Sequence, residues 1–301
     1  MATVSAATAS STSLLNISHV ATVAKSSNFN VSRISDLDID MQYVKSNNEG
    51  VAPSHAELFG NHPDFLDLQR VIIRDAREAE HVFSFPDNGF QWSKFNVPQI
   101  KDYEDKQQVS EKYLPVLEQF VKEQLGASFV KAFSHKVRNK TYNPSATDAR
   151  SYSGPALRPH VDITSKFAPL LLRYQATELF KKISEENKHW QIINAWRPIK
   201  TVRRDPLVVA DATSVALEDH LLVPSPEVGP GVEGWFLKKP SKEHSKHSWW
   251  YLNEQTPEEV LLFRQYDSEG SPVVPHTAIS FPGPVPDEAR ESIEVRMIVV
   301  Y

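Results

Sequence analysis

The sequence predicts a mainly β protein, an antiparallel sandwich or barrel buttressed by helices, and three observations carry that reading. Six short strand-like runs follow one another after residue 189 with no helical pattern between them. Turn residues separate these runs, as in "NEQTPEE", "SEGSP" and "PGPVPDEA". The helical periodicities are confined to the earlier part of the chain. A doubly wound parallel sheet would need helices alternating with the strands. The 10 glycines form neither a G-x-G-x-x-G nor a Walker A loop, which disfavours nucleotide and dinucleotide enzymes.

Taken in order, residues 1–30 are rich in Ala, Ser and Thr, contain no acid and show no sustained period, so a mobile tail is expected there. An organellar transit peptide is the competing reading, and the late first arginine, Arg33, weighs against it. Residues 31–301 contain no Gly/Ser linker and are assigned to one domain. "LDLQRVIIRDAREAE" (66–80) and "QQVSEKYLPVLEQFVKEQLG" (107–126) are read as packing helices, the second with Leu114, Leu117, Val121 and Leu125 on one face and Gly126 as its stop. A third helix is expected over "SKFAPLLLRYQATELFKKISEENK" (165–188). The strand-like runs are "WQIINAWRP", "PLVVADAT", "SWWYLN", "EVLLFRQYD", "PVVPHTAISF" and "SIEVRMIVVY".

Composition narrows the function. At 301 residues with 40% hydrophobic content the chain can bury a substantial core. No run approaches the roughly 18 apolar residues of a membrane span, and no basic-then-apolar leader opens the chain, so a cytoplasmic protein is expected. There is no cysteine, so a metal would have to be held by imidazole and carboxylate. A formal charge of −5 without a Lys/Arg block offers nucleic acid no landing surface. A small-molecule partner is favoured, and a homo-oligomer is left open.

Three His-x-acid motifs occur, where chance supplies about one. His55-x-Glu57 and His62-x-Asp64 lie in an irregular polar stretch and read as structural or solvated. His160-x-Asp162, in "GPALRPHVDIT", sits on a short extended segment, where residues two apart point to the same side. Completed by the distant His276, it would form a two-histidine, one-carboxylate facial triad. The plainer alternative makes His276 a half-buried strand histidine bonded to a carbonyl. In "DEARESIEVRMIVVY", Arg290, Ser292, Glu294 and Arg296 fall on one face and Ile293, Val295, Met297 and Val299 on the other. An arginine on the polar face could bind a carboxylate through two parallel hydrogen bonds, helped by the hydroxyl two residues on, as a dicarboxylic oxo-acid would require. Alternatively Glu294 and Arg296 pair with neighbouring charges on an exposed face.

With "HVD" at 160–162, His276 and Arg-x-Ser at 290–292, the chain resembles the iron(II)- and 2-oxoglutarate-dependent oxygenases. The blocks at 194–215, 249–270 and 275–296 are similar to the fungal gibberellin-desaturase and aspergillic-acid hydroxylase group of secondary metabolism, over roughly residues 125–301. The resemblance implies a double-stranded β-helix (a cupin-like jelly roll), iron(II) on His160, Asp162 and His276, and 2-oxoglutarate on Arg290 with Ser292, with Arg296 as the second choice. It also implies dioxygen as the oxidant and hydroxylation, desaturation or ring closure at an unactivated C–H bond. Asn194, Trp196, Arg197, Tyr251, Arg264 and Tyr266 are expected at the substrate, with Arg197, Arg204 or Arg264 anchoring a substrate carboxylate. Core packing of the Trp249–Trp250 pair and surface roles for Arg203 and Arg204 stay open. Two other classes compete: a zinc-dependent hydrolase on the same barrel, which would leave the Arg-x-Ser strand unexplained, and a non-catalytic binding module.

Overall fold

The computed structural model describes residues 36–301 apart from 60–61, 80–82, 144–150, 226–228, 230–231 and 242–245. The tail expected over 1–30 lies outside the described residues. With strands numbered in chain order, one sheet holds β1 (Asp36–Val44), β2 (Leu66–Asp75), β10 (Trp249–Tyr251), β7 (Leu207–Ala210), β12 (His276–Ala278), β5 (His160–Val161), β9 (Glu233–Leu237) and β8 (His220–Pro224), side by side in that order. The smaller sheet runs β3 (Phe90–Lys94), β11 (Glu259–Asp267), β6 (Trp190–Pro198), β13 (Ser292–Val300), β4 (Phe129–Arg138). Neighbouring strands are antiparallel except β2 and β10. Side chains from both sheets meet between them: Phe90, Trp196, Leu261 and Phe263 from the smaller sheet pack with Leu207, Val209 and Trp250 from the larger. This is the double-stranded β-helix.

Alternation along β13 organises the smaller sheet. Ile293, Val295, Met297 and Val299 point outward and pack, with Ile193, Ala195, Val260 and Leu262, on Tyr113, Leu117 and Val121 of a helical segment. That segment begins where the Asp105 carboxylate accepts from the Gln107 and Gln108 N–H groups, passes through a wide turn at Val109–Tyr113, and continues as α1 (Leu114–Leu125). Gly126 closes it with φ 64°, a left-handed cap that a side chain would resist. Burying Leu117 or Val121 completely contributes about 1.5–3 kcal/mol each. The opposite face of β13 is thereby turned inward.

Two expected helices come out differently. Residues 66–75 form β2, not a helix, and only a short turn at Ala76–Glu78 follows. The β-branched run Val71-Ile72-Ile73 fits a pleated strand between β1 and β10 better than a helix. The single helix expected over 165–188 is two, α2 (Phe167–Gln175) and α3 (Thr177–Glu186), broken at Ala176 with φ −153° and ψ 67°. Both pack on the inward Ile192, Ile298 and Val300, covering one end of the space between the sheets.

Candidate active site

Strands β5 and β12 pair with His160 directly opposite His276, and the imidazole centroids lie 4.3 Å apart. His160, Asp162 and His276 each offer one ligand atom, and the three atoms lie within 4.8 Å of one another. His160 Nδ1 donates to the Arg158 carbonyl at 2.8 Å, which fixes the tautomer and leaves the Nε2 lone pair available 3.6 Å from Asp162 Oδ1. Burial pushes both imidazoles down to about 4, so they are neutral near pH 7 and can act as metal ligands. Burial opposes ionisation of Asp162, but the Arg296 charge first, then the histidines once acid protonates them, and the Asn194 hydrogen bond outweigh it and hold the carboxyl well below its usual range. Neutral imidazoles beside an ionised carboxylate suit a divalent cation of borderline hardness.

Asp162 is held from behind. Asn194 Nδ2 donates to Asp162 Oδ2 at 2.8 Å and to Glu294 Oε1 at 3.0 Å. Arg296 spans both oxygens, Nε on Oδ2 and Nη2 on Oδ1, each at 3.0 Å. Glu294 is raised by burial and by the Asp162 charge, so of the two carboxyls Asp162 is the one that keeps the negative charge.

Arg290 and Ser292 sit beside this cluster. Arg290 is buried over the ring of Trp196, 5.3 Å from its centroid, and donates through Nη1 to the Asp205 carbonyl. Burial, followed by the nearby charge of Arg138, lowers its guanidinium to about 10. Arg290 Nε and Ser292 Oγ are buried with no hydrogen-bond partner. Two such atoms on adjacent side chains are what a bound carboxylate would satisfy. Arg138 pairs across the sheet with Ser292 and lines a cavity of about 550 Å³ together with His160, Asp162 and Arg296. Its other walls include Leu58, Phe133, Phe167, Leu171 and Phe236, with Lys136 and Arg158 as further cations.

The residues expected at substrate are dispersed. Asn194 faces the His160–Asp162–His276 cluster and Trp196 lies under Arg290. Arg197 points outward, where its guanidinium lies against Tyr103 and Tyr113 and donates to both hydroxyls. Tyr251 packs with Leu37, Met41 and Ile73 on the far side of the larger sheet. Arg204 binds Asp205 and the Pro286 carbonyl. Simple alternation would put Arg264 and Tyr266 on one face, but a bulge in β11 between them sends them to opposite sides. Arg264 stacks on Phe85 and donates to the Phe85 and Pro272 carbonyls, while Tyr266 packs on Trp190. None of these residues lines the cavity. Of the motifs read as structural or solvated, His62 lies 3.9 Å from Asp64 at the surface and Glu57 accepts from the Ser54 hydroxyl and N–H, a capping box, whereas His55 lines the cavity beside Phe236.

Sequence reasoning missed Arg138, Arg158 and Phe236 on the cavity wall, and Gln265, the bulged residue of β11. Gln265 carried a signal: it is the uncharged polar residue inside the apolar run "EVLLFRQYD", in a strand buried along nearly its whole length.

A double-stranded β-helix with a His-x-Asp and distant His cluster, beside a buried Arg-x-Ser pair, has the layout of a non-haem iron oxygenase. A family model described as an oxidoreductase/YMDC permease-like domain matches residues 38–300, although no helix among the described residues is long and apolar enough to cross a membrane. The chain is 32% identical to alpha-ketoglutarate-dependent dioxygenase phiK of a fungal species, over 87% of this chain and 95% of that protein. It is 32% identical to hydroxylase/desaturase efuI of Hormonema carpetanum, over 78% of this chain and 84% of the relative. A solved variant of the iron and alpha-ketoglutarate-dependent endoperoxidase NvfI shares the fold with a TM-score of 0.72 at 23% identity, covering 89% of this chain and 98% of its own. The chain belongs to the iron(II)- and 2-oxoglutarate-dependent oxygenases, in the group that holds these fungal dioxygenases and hydroxylase/desaturases. That membership favours the oxygenase over the zinc hydrolase and the non-catalytic module.

Proposed function

We propose that the protein binds iron(II) through His160, Asp162 and His276, binds 2-oxoglutarate through Arg290 and Ser292, and oxidises an unactivated C–H bond of a small carboxylate-bearing metabolite. The observations that carry this reading are the three converging ligand atoms and, on and just before the strand that supplies Glu294 and Arg296 to them, the buried, unpartnered Ser292 Oγ and Arg290 Nε. When bound, the iron supplies the chemistry that couples decarboxylation of 2-oxoglutarate by dioxygen, giving succinate and carbon dioxide, to removal of hydrogen from carbon.

The chain's own residues do the rest. His160 and His276 stay neutral and present lone pairs. Arg296 and Asn194 take up the back of the Asp162 carboxylate, so it is oriented before any metal arrives. Arg290, held over the Trp196 ring, receives the distal carboxylate of the oxo-acid, and Ser292 donates the additional hydrogen bond. Phe133, Phe167, Leu171 and Phe236 keep water from the reacting carbon. Lys136, Arg138 and Arg158 make the cavity wall cationic, which supports a substrate that carries a carboxylate.

The test is anaerobic addition of iron(II), then 2-oxoglutarate, with a His276→Ala control. A visible charge-transfer band in the wild type that the variant lacks is expected. No band from folded wild-type protein would sink the assignment.

A further inference from the structure

Both ligand-bearing strands are very short: β5 has two residues and β12 three. Ladder bonds over so few residues leave the separation of Asp162 and His276 weakly fixed, yet a metal site needs it held to a fraction of an ångström. The structure supplies a cross-sheet connection in Gln265.

Opposite β11, Ile193 pairs with Arg264 and Ile192 with Tyr266, so Gln265 has no partner residue on β6 and is the extra residue of a bulge. Its side chain is fully buried and reaches from the smaller sheet to the larger. Oε1 accepts the Asp162 N–H at 2.8 Å, and Nε2 donates to the Val274 carbonyl at 3.0 Å and to the Arg264 carbonyl at 3.2 Å. The Val274 N–H donates in turn to the Arg264 carbonyl at 2.8 Å. Residues 264 and 265 thus hold both backbone polar groups of Val274, two positions before His276, while Gln265 also grips Asp162. An apolar side chain of the same length would bury as well without the desolvation cost of an amide, so the directed bonds, above all those to Asp162 and Val274, are what the glutamine adds.

We infer that Gln265 is a positioning residue for the metal centre, setting the distance between Asp162 and His276 through the bulge of β11. The inference rests on the iron assignment above. It predicts that Gln265→Met, matched in length but unable to make any of these bonds, binds iron(II) about 10–100-fold more weakly, as loss of an outer partner of a metal ligand does. Gln265→Asn, which keeps the uncharged amide but is one methylene too short to reach both Asp162 and Val274, should fall between Met and the wild type.

The experiment titrates iron(II) anaerobically at saturating 2-oxoglutarate into wild type, both variants and His276→Ala, following the charge-transfer band, with thermal unfolding of each metal-free protein alongside. Weaker binding and a shifted band in both variants, at unfolding temperatures near that of the wild type, is the expected result. If Gln265→Met does not fold, Gln265→Asn decides. Variants that bind iron within about twofold of wild type, or that weaken only in step with lost stability and with an unshifted band, overturn the positioning role while leaving the iron site intact. A wild type with no band, like His276→Ala, overturns the iron assignment and the positioning role together.

Discussion

Two buried clusters of this molecule use the same residue types to opposite ends. Tyr43, His247 and Asp219 form a closed chain: Tyr43 receives the Trp249 Nε1–H at 2.9 Å and meets His247 Nδ1 at 3.0 Å, and His247 Nε2–H donates to Asp219 Oδ2 at 3.0 Å. Asp219 Oδ1 takes the Ser241 N–H, so both imidazole nitrogens and both carboxylate oxygens are used. At the other cluster, His160 uses only one nitrogen within the protein, and Ser292 Oγ and Arg290 Nε have no partner. Burial alone therefore does not mark function. What separates the two is whether the buried polar atoms are satisfied by the chain itself.

The largest effect should come from the open cluster. Arg290→Ala removes the one fixed charge proposed for the distal carboxylate and should weaken 2-oxoglutarate about 100-fold, as loss of a charge-assisted pair does. Iron(II) binding should stay close to wild type, while the unfolding temperature should fall, because the variant also gives up the contact over Trp196 and the bond to the Asp205 carbonyl. Titration of the charge-transfer band measures it directly. A cosubstrate affinity within threefold of wild type would move the carboxylate elsewhere, with Arg138 on the adjoining strand the first residue to examine.

In the closed cluster the same kind of change should act on stability. His247→Phe keeps an aromatic ring but strands the Tyr43 hydroxyl and the Asp219 carboxylate in the interior, at a cost of about 2–4 kcal/mol. Denaturant unfolding should register that loss while the iron(II) and 2-oxoglutarate affinities of the folded protein are unchanged. A weakened band in folded His247→Phe would mean the two clusters are coupled, and the contrast drawn between them would fail.

Much of the open cluster was legible in the sequence because it follows from alternation. His160 and Asp162 converge since they are two apart on an extended segment, and β13 separates Ser292, Glu294 and Arg296 from an apolar face that packs on α1. Legibility ended where alternation did. The bulge at Gln265 reverses the expected relation of Arg264 and Tyr266, and no spacing rule marks where a bulge falls. Cross-strand neighbours were equally hidden: Arg138 reaches Ser292 only through the pairing of β4 with β13. The expected helix over "LDLQRVIIRDAREAE" gives way to strand β2 because pairing with β1 and β10, invisible in a local pattern, decides its conformation.

The smallest predicted effect probes a third arrangement, closed like the Tyr43 cluster but near solvent. Glu259 accepts from Arg77 at 2.7 and 3.1 Å, from Lys94 at 2.9 Å and from the Thr256 N–H at 2.9 Å. Burial opposes its ionisation, but those donors prevail and bring the carboxyl down to about 2. A carboxyl lowered on folding contributes stability above its unfolded value near 4.5 and loses it as pH falls through the folded value. The unfolding temperature of Glu259→Gln should therefore lie below that of the wild type at pH 7, and the gap should close between about pH 4.5 and 2. Because Arg77 and Lys94 are themselves exposed, salt should narrow the gap as well, whereas it should leave the His247→Phe deficit untouched. A Glu259→Gln deficit that persisted at pH 2 would trace to packing and not to charge, making Glu259 a buried cluster of the His247 kind.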